Sequence, residues 1–347
     1  MRTDLVLAGV MVIALVLYVL FGGADFGGGV WDLLASGPRK KEQRALIERA
    51  IGPIWEANHV WLILVVVLLF AGFPRAFAAL TTALHVPMTL FLLGVVARGS
   101  AFTFRAYDSR GDRVQKRWGL VFSLASVIAP VLLGMIVGTI ASGRIRVEGA
   151  TITSGFFRPW LAAFPFAVGL YALSLFAFLA AIYLAHEADD PALKEDFRRR
   201  ALASGVAVGA LAAVSFALSL RSAPVIAKGL TDHPITWPVH SITAVSATAT
   251  FVLLLRRRYS IARYTAALQA TMILLGWAAS QYPYLVVPDV SIADAAGNPR
   301  TRALLLVALA AGSALLFPSL YVLFRVFKRP PPDAPPDARP EGDGHSS

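Results

Sequence analysis

Nine stretches of this chain run for 17 residues or more with few charges, at about 5–23, 54–74, 77–97, 118–141, 160–185, 202–220, 239–255, 262–282 and 303–326. A soluble core asks for apolar residues in periodic stripes, whereas a hydrocarbon slab roughly 30 Å thick asks for blocks of about 20. Composition points the same way. Of the 347 residues, 57% are apolar or aromatic and 15% are charged, where soluble domains carry roughly a quarter charged residues; the mean hydropathy is +0.65. A soluble globule of this size is excluded. The blocks predict an all-α integral membrane protein with nine transmembrane helices.

The span at 239–255 is the shortest and holds Ser241, Thr243, Ser246, Thr248 and Thr250, which predicts that it faces protein rather than lipid. Basic loops resist translocation, so Lys and Arg set the orientation. Of the 32 basic residues, 23 fall on the side of the loops after spans 1, 3, 5 and 7 and the C-terminal tail, and 9 on the other side. The N-terminus is expected outside and the tail in the cytoplasm. The net charge of +11 then reads as an orientation signal and an anionic-lipid contact, not as a nucleic-acid site. Span 1 lacks an A-x-A cleavage site and continues into glycines, so it is expected to be a retained anchor. Residues 42–51 (EQRALIERAI) put Leu46, Ile47, Ala50 and Ile51 on one face and predict a short interfacial helix. The proline-rich tail 330–347 cannot bury apolar area and is expected to be disordered.

The chain has no cysteine, which removes disulfides, thiolate haem ligands, iron–sulfur clusters and cysteine zinc sites. No Walker loop, dinucleotide fingerprint or nucleophile elbow occurs either, so no soluble-type active site and no catalytic residue is expected in this chain. What remains is charge within hydrocarbon, costly at about 2.5–3.5 kcal/mol per residue at mid-helix and therefore a pointer to function. The candidates are Asp25 and Asp32 after span 1, Glu56 and His59 opening span 2, and Arg98 and Arg105 closing span 3. Glu56 and His59 are three residues apart and share a helical face, with Asn58 alongside and Trp55 as an interfacial anchor. An acid and an imidazole so placed can pass protons. Equally, Glu56 can pair with Arg98 or cap the helix while His59 bonds a neighbouring helix. Asp25 lies in GGADFGGG, read as a glycine-rich turn, where the acid can pair with an arginine or take up protons. His85 is read as lying near mid-membrane, as a quinone or interface contact. At 1.5 Å per residue it is about 9 Å deeper than His59, which disfavours the two as ligands of one haem. No metal cluster is expected from the histidines.

The segments GGADFGGGVWDLL (22–34), IGPIWEANHVWLI (51–63) and RGSAFTFR (98–105) resemble subunit II of cytochrome bd-type quinol oxidases, with QYPYLVVPD (281–289) a weaker match. The resemblance implies two four-helix bundles, residues 1–150 and 151–290, a peripheral ninth helix at 291–329, and a cytoplasmic tail at 330–347. It implies a partner, subunit I, that carries haems b and d and oxidises quinol. Subunit II then holds no obligatory haem, stabilises the assembly in the bacterial inner membrane, and in some members holds a quinone; small single-helix subunits can accompany it. The family's proton-path acids fall on Asp25 and Glu56. Beside them His59 is expected as a relay, and Arg98 and Arg105 are expected to hold the carboxylates charged at the inner mouth. Two positions depart from the family pattern. Thr103 stands where an acid is common, and Gly22 replaces the first acid of the usual DGFD. A different reading makes the same acids the coupling groups of a secondary transporter or channel, which predicts matched broken helices; Pro87, Pro130 and Pro165 are the candidates. A third makes the chain a scaffold.

Overall fold

A computed structural model describes residues 2–51, 55–107, 112–149 and 151–327. It is helical apart from two short hairpins, β1–β2 (Val147–Glu148, Thr151–Ile152) and β3–β4 (Tyr284–Val286, Val290–Ser291). The helices in chain order are α1 (Thr3–Leu17), α2 (Gly23–Leu33), α3 (Lys40–Ile51), α4 (Trp55–Gly72), α5 (Pro74–Ala83), α6 (His85–Tyr107) and α7 (Asp112–Ala141). They continue with α8 (Ala163–Glu187), α9 (Pro191–Ser222), α10 (Pro224–Asp232), α11 (Thr236–Leu255), α12 (Tyr259–Gln281), α13 (Ile292–Ala295) and α14 (Pro299–Phe327). Of the described residues, those up to Arg302 form one compact unit and those from Ala303 a second.

Among the described residues seven helical segments are long and apolar enough to cross a membrane, and the bent pair α4–α5 makes an eighth. Helix α12 carries Arg263, Gln269 and Gln281 and does not qualify on composition. It nevertheless joins the two ends of the molecule. At one end Arg257, before α12, pairs with Glu195 at 3.7 Å, Arg39 with Asp196 at 2.6 Å, and Arg49 with Asp189 at 3.6 Å. At the other, Arg146 meets Asp289 at 3.0 Å, the Gly297 N–H donates to the Gly72 carbonyl at 2.9 Å, and Arg302 meets Asp4 at 3.8 Å. The loops after the first, fifth and seventh predicted spans thus gather at one end. Those after the second, fourth and eighth gather at the other.

Three sequence expectations change. First, 22–29 is not a turn: a π-helical turn at Tyr18–Gly22 carries α1 into α2, giving one 31-residue helical segment to Leu33. Glycine costs a helix about 1 kcal/mol per residue, and here packing outweighs it. A Cβ on Gly27 would lie 2.0 Å from the Phe176 carbonyl oxygen of α8, and one on Gly29 2.2 Å from the Ser126 Cβ of α7. Only glycine lets α2 wedge between them, and Trp31 fastens the wedge by donating from Nε1 to the Ala177 carbonyl at 2.8 Å. Second, the span drawn at 77–97 is broken. Pro74 opens α5 at 117° to α4, and α6 starts afresh at His85, with Pro87 in its first turn where no intrahelical N–H is needed. Third, α6 does not close near residue 97 but continues to Tyr107, so Arg98 lies inside it.

The expected interfacial helix is α3, its Leu46 and Ile47 buried. It is held at the basic end by Arg39, which donates from Nε and Nη2 to the two Asp196 carboxylate oxygens at 2.9 and 2.6 Å.

The wedge is testable. Overpacking costs about 1–3 kcal/mol even where side chains can yield, and at Gly27 the obstacle is backbone. Gly27→Ala is expected to lower the thermal unfolding midpoint of the purified protein by several degrees or to abolish its accumulation. Gly9→Ala, with nothing within 4 Å of the new Cβ, is expected to leave it unchanged.

Candidate functional site

The wedge of α2 carries the charge that the sequence singled out. Asp25 is 4% exposed, buried between helices, and accepts a hydrogen bond from Nδ2 of Asn58, itself buried on α4. One residue along α4, His59 packs between two rings of the first helical segment, 6.1 Å from the Tyr18 ring and 6.1 Å from that of Phe26. Opposite stands Arg98 of α6, 1% exposed rather than at a solvated mouth. Its guanidinium sits over the Phe26 and Phe122 rings at 4.9 and 5.1 Å, and its Nε donates to the Ser126 hydroxyl at 3.1 Å. Ser126 in turn donates to the Phe122 carbonyl at 2.7 Å.

An arginine cannot shed its charge in a protein, so a guanidinium enclosed by rings must be balanced nearby. Asp25 supplies that balance: the two charges are electrostatically coupled without direct ion-pair contact. Removing either leaves the other unopposed in an apolar bundle. Among the described residues three buried polar atoms around this pair lack a hydrogen-bond partner: Arg98 Nη2, His59 Nδ1 and the Tyr18 hydroxyl. Buried polar atoms normally meet a partner. A carboxylate, an imidazole, a phenol and a guanidinium therefore share one recess inside the apolar helices.

Asp32, two turns further along α2, is 1% exposed and accepts from the Ser123 hydroxyl at 2.8 Å, with Arg44 of α3 at 3.6 Å. Asp25 and Asp32 thus occupy successive levels of one stripe. The sequence reading missed Tyr18, Phe26, Phe122 and Ser126. Tyr18 had a signal, since Tyr18, Asp25 and Asp32 recur every seven residues, about two helical turns. Ser126 had none, because a serine on an apolar helix is usually bonded to its own backbone.

The remaining expectations are distributed differently. Trp55 and Glu56 lie in the first turn of α4, and Arg105 near the end of α6; the side chains of all three lie outside the described residues, as does the tail from 328 on. His85 is not at mid-membrane. It is the first residue of α6, exposed, with Nδ1 3.0 Å from the Thr82 carbonyl and its ring edge-on to Phe156 at 4.9 Å. It belongs to the end of the molecule away from the basic loops, separate from His59. Thr103 is exposed and donates to the Gly99 carbonyl. Pro87 and Pro165 each fall in the first turn of a helix, where they break nothing.

With this geometry in place the comparisons are decisive. A family model described as cytochrome bd terminal oxidase subunit II matches residues 3–327. The chain belongs to that family. A Bacillus subtilis protein named "putative cytochrome bd menaquinol oxidase subunit II" is 21% identical over 90% of this chain and 92% of its own length. The Escherichia coli cytochrome bd-I ubiquinol oxidase subunit 2 is 28% identical over 40% of this chain and 35% of that protein. A chain of the bd oxidase structure from Geobacillus thermodenitrificans superimposes with a TM-score of 0.77 at 25% identity, over 94% of this chain and 99% of that one. In this bd subunit II chain, then, the Asp25 recess lies in a family whose named relatives are subunits of quinol oxidases.

The balance between Asp25 and Arg98 has a measurable size. Breaking a buried pair from one side costs about 3–5 kcal/mol, so Arg98→Met is expected to destabilise the purified complex by that order in an unfolding titration. Adding Asp25→Asn in the same background is expected to recover most of the loss. Equal destabilisation by the single and double variants would mean that the two charges do not balance one another.

Proposed function

We propose that this chain is the haem-free subunit of a membrane-bound quinol:oxygen oxidoreductase. It stabilises a haem-bearing subunit I and carries protons toward it from the basic end. The observation that carries the reading is the recess itself: Asp25, Asn58, His59 and Arg98 assembled in apolar surroundings with three buried polar atoms still lacking partners. Groups so costly to bury mark ion or proton routes by default. A proton taken up at the basic rim by Glu56 passes to the Asp25 carboxylate through His59 or bound water, and leaves as the next proton arrives. Asn58 holds the Asp25 carboxylate in one orientation, and Arg98 stands opposite as its counter-charge. Asp32 and Arg44 stand between the recess and the basic end.

In this reading haems b and d of subunit I supply the oxygen chemistry, and this chain supplies protons and shape. The family relation and the relatives' names support the quinol oxidase assignment. The two-ended sorting of the ion pairs supports nine crossings, with α12 among them and the N-terminus opposite the basic end. The positive-inside rule then makes the basic end cytoplasmic in a bacterial inner membrane. The partition into bundles at 1–150 and 151–290, with a ninth helix at 291–329, belongs to the same proposal, as do a bound quinone and small accessory subunits.

Losing a positioned proton carrier typically lowers a rate by about 100-fold or more. Glu56→Gln, introduced into the complete complex, is expected to lower quinol-driven oxygen consumption and charge movement at least ten-fold, with assembly and the haem spectrum retained; Asp25→Asn is expected to lower both as far, together with the loss of stability that follows from leaving Arg98 unopposed. Unchanged turnover and charge movement in both variants would leave the chain a scaffold.

A further inference from the structure

A second polar feature lies at the basic end, away from the recess. Where the α11–α12 turn meets the end of α8 and the start of α9, a cavity of 680 Å³ is lined by His186, Lys194, Arg257, Arg258 and residues 259–261. Three of these side chains carry permanent positive charge. Asp196 is engaged by Arg39 and Asp189 by Arg49, while Glu195 is held by Arg198 and Arg199 at 2.6 and 3.1 Å and meets the cavity's Arg257 only at 3.7 Å. Asp190 caps α9 through the Ala192 N–H, and the exposed Glu187 does not line the cavity. Among the described residues Lys194 and Arg258 have no carboxylate partner.

The turn itself is shaped at some cost. Helix α11 closes with Arg258 N–H on the Leu253 carbonyl at 2.9 Å and Arg257 N–H on that of Leu254 at 3.1 Å, and Arg257 has φ +56°. That left-handed position normally falls to glycine, and an L side chain there costs about 1–2 kcal/mol. An arginine in it presents a guanidinium at the cavity lip that glycine would not. Adjoining the turn are exposed apolar groups, Leu255 at 62%, Ile261 at 48% and Tyr264 at 63%, the last with the Arg263 guanidinium over its ring at 4.7 Å. Cations at the level where the helices leave hydrocarbon, beside an open apolar shelf, match an amphiphile with an anionic head.

We propose that this cavity binds an anionic phospholipid. Its phosphodiester sits among Lys194, Arg257 and Arg258, and its acyl chains lie over Leu255, Ile261 and Tyr264. A free phosphate would use the cations alone, whereas a phospholipid uses both parts. The site is independent of the proton route and requires only that the chain sit in a bilayer.

The test uses the purified complete complex, with phosphatidylglycerol, phosphatidylcholine and inorganic phosphate as probes. Native mass spectrometry is expected to retain phosphatidylglycerol in preference to phosphatidylcholine. Phosphatidylglycerol is also expected to raise the thermal midpoint where millimolar phosphate does not. Lys194→Gln with Arg258→Gln, which breaks no ion pair described above, is expected to weaken phosphatidylglycerol binding about 30-fold, two basic contacts at roughly five-fold each. Arg257→Gly is expected to weaken it too, although it eases the turn. Equal retention of both lipids, an equal shift with phosphate, or unchanged binding in the double variant would each overturn the proposal. If the double variant fails to accumulate, the lipid preference of the parent complex decides.

Discussion

Everything in the first half of the molecule turns on one electrostatic constraint: a guanidinium that cannot be neutralised is enclosed at 1% exposure among apolar helices. Charge there is tolerable only with an opposite charge in range and hydrogen bonds for the rest of the group. Arg98 has Asp25 as counter-charge, Ser126 on Nε, and the faces of Phe26 and Phe122. Each of these comes from α2 or α7, and the close approach of those helices depends on Gly29, where any side chain would meet Ser126. The glycines and the charges are thus one device. The glycines bring the backbones together, and the closeness makes the buried pair affordable.

The same economy governs the basic end. There α3 is tied to α9 through Asp196, which takes two bonds from Arg39 and one from Gln43. Gln43 also accepts from Arg200, whose guanidinium lies over Trp31 of α2. A contact at the surface is in this way linked to the root of the helix that bears Asp25. The recess and its rim thus share a frame of packed side chains.

How much of this was legible in the sequence depends on the residue. Helical membrane architecture follows from the apolar blocks alone, because hydrocarbon leaves the backbone no other partner but itself or a closed barrel. Asp25, Asn58, His59 and Arg98 are legible as a set, since charge and imidazole in such blocks are rare. Their closeness is less so: Arg98 reads as a mouth residue until α6 is seen to run on to Tyr107. GGADFGGG reads as a turn because glycine's intrinsic preference argues against a helix, and the packing that reverses the preference is not local. His85 misleads for the same kind of reason. A run of apolar residues does not reveal that it divides into a short helix opened by Pro74 and a fresh start at His85. Ser126 and the aromatic cage are invisible without the neighbouring helices.

The π-helical turn at Tyr18–Gly22 gives the first helical segment a property that a plain α-helix lacks. A wider turn accommodates an additional residue, and one residue corresponds to about 100° of rotation about the axis. Everything downstream, Asp25 and Asp32 included, owes its azimuth to that insertion. The turn works as an indexing step: it lets Tyr18 and the two acids be aimed separately while the rod stays unbroken. Were the same residues wound as a plain α-helix, both carboxylates would swing by about 100° toward a different neighbour.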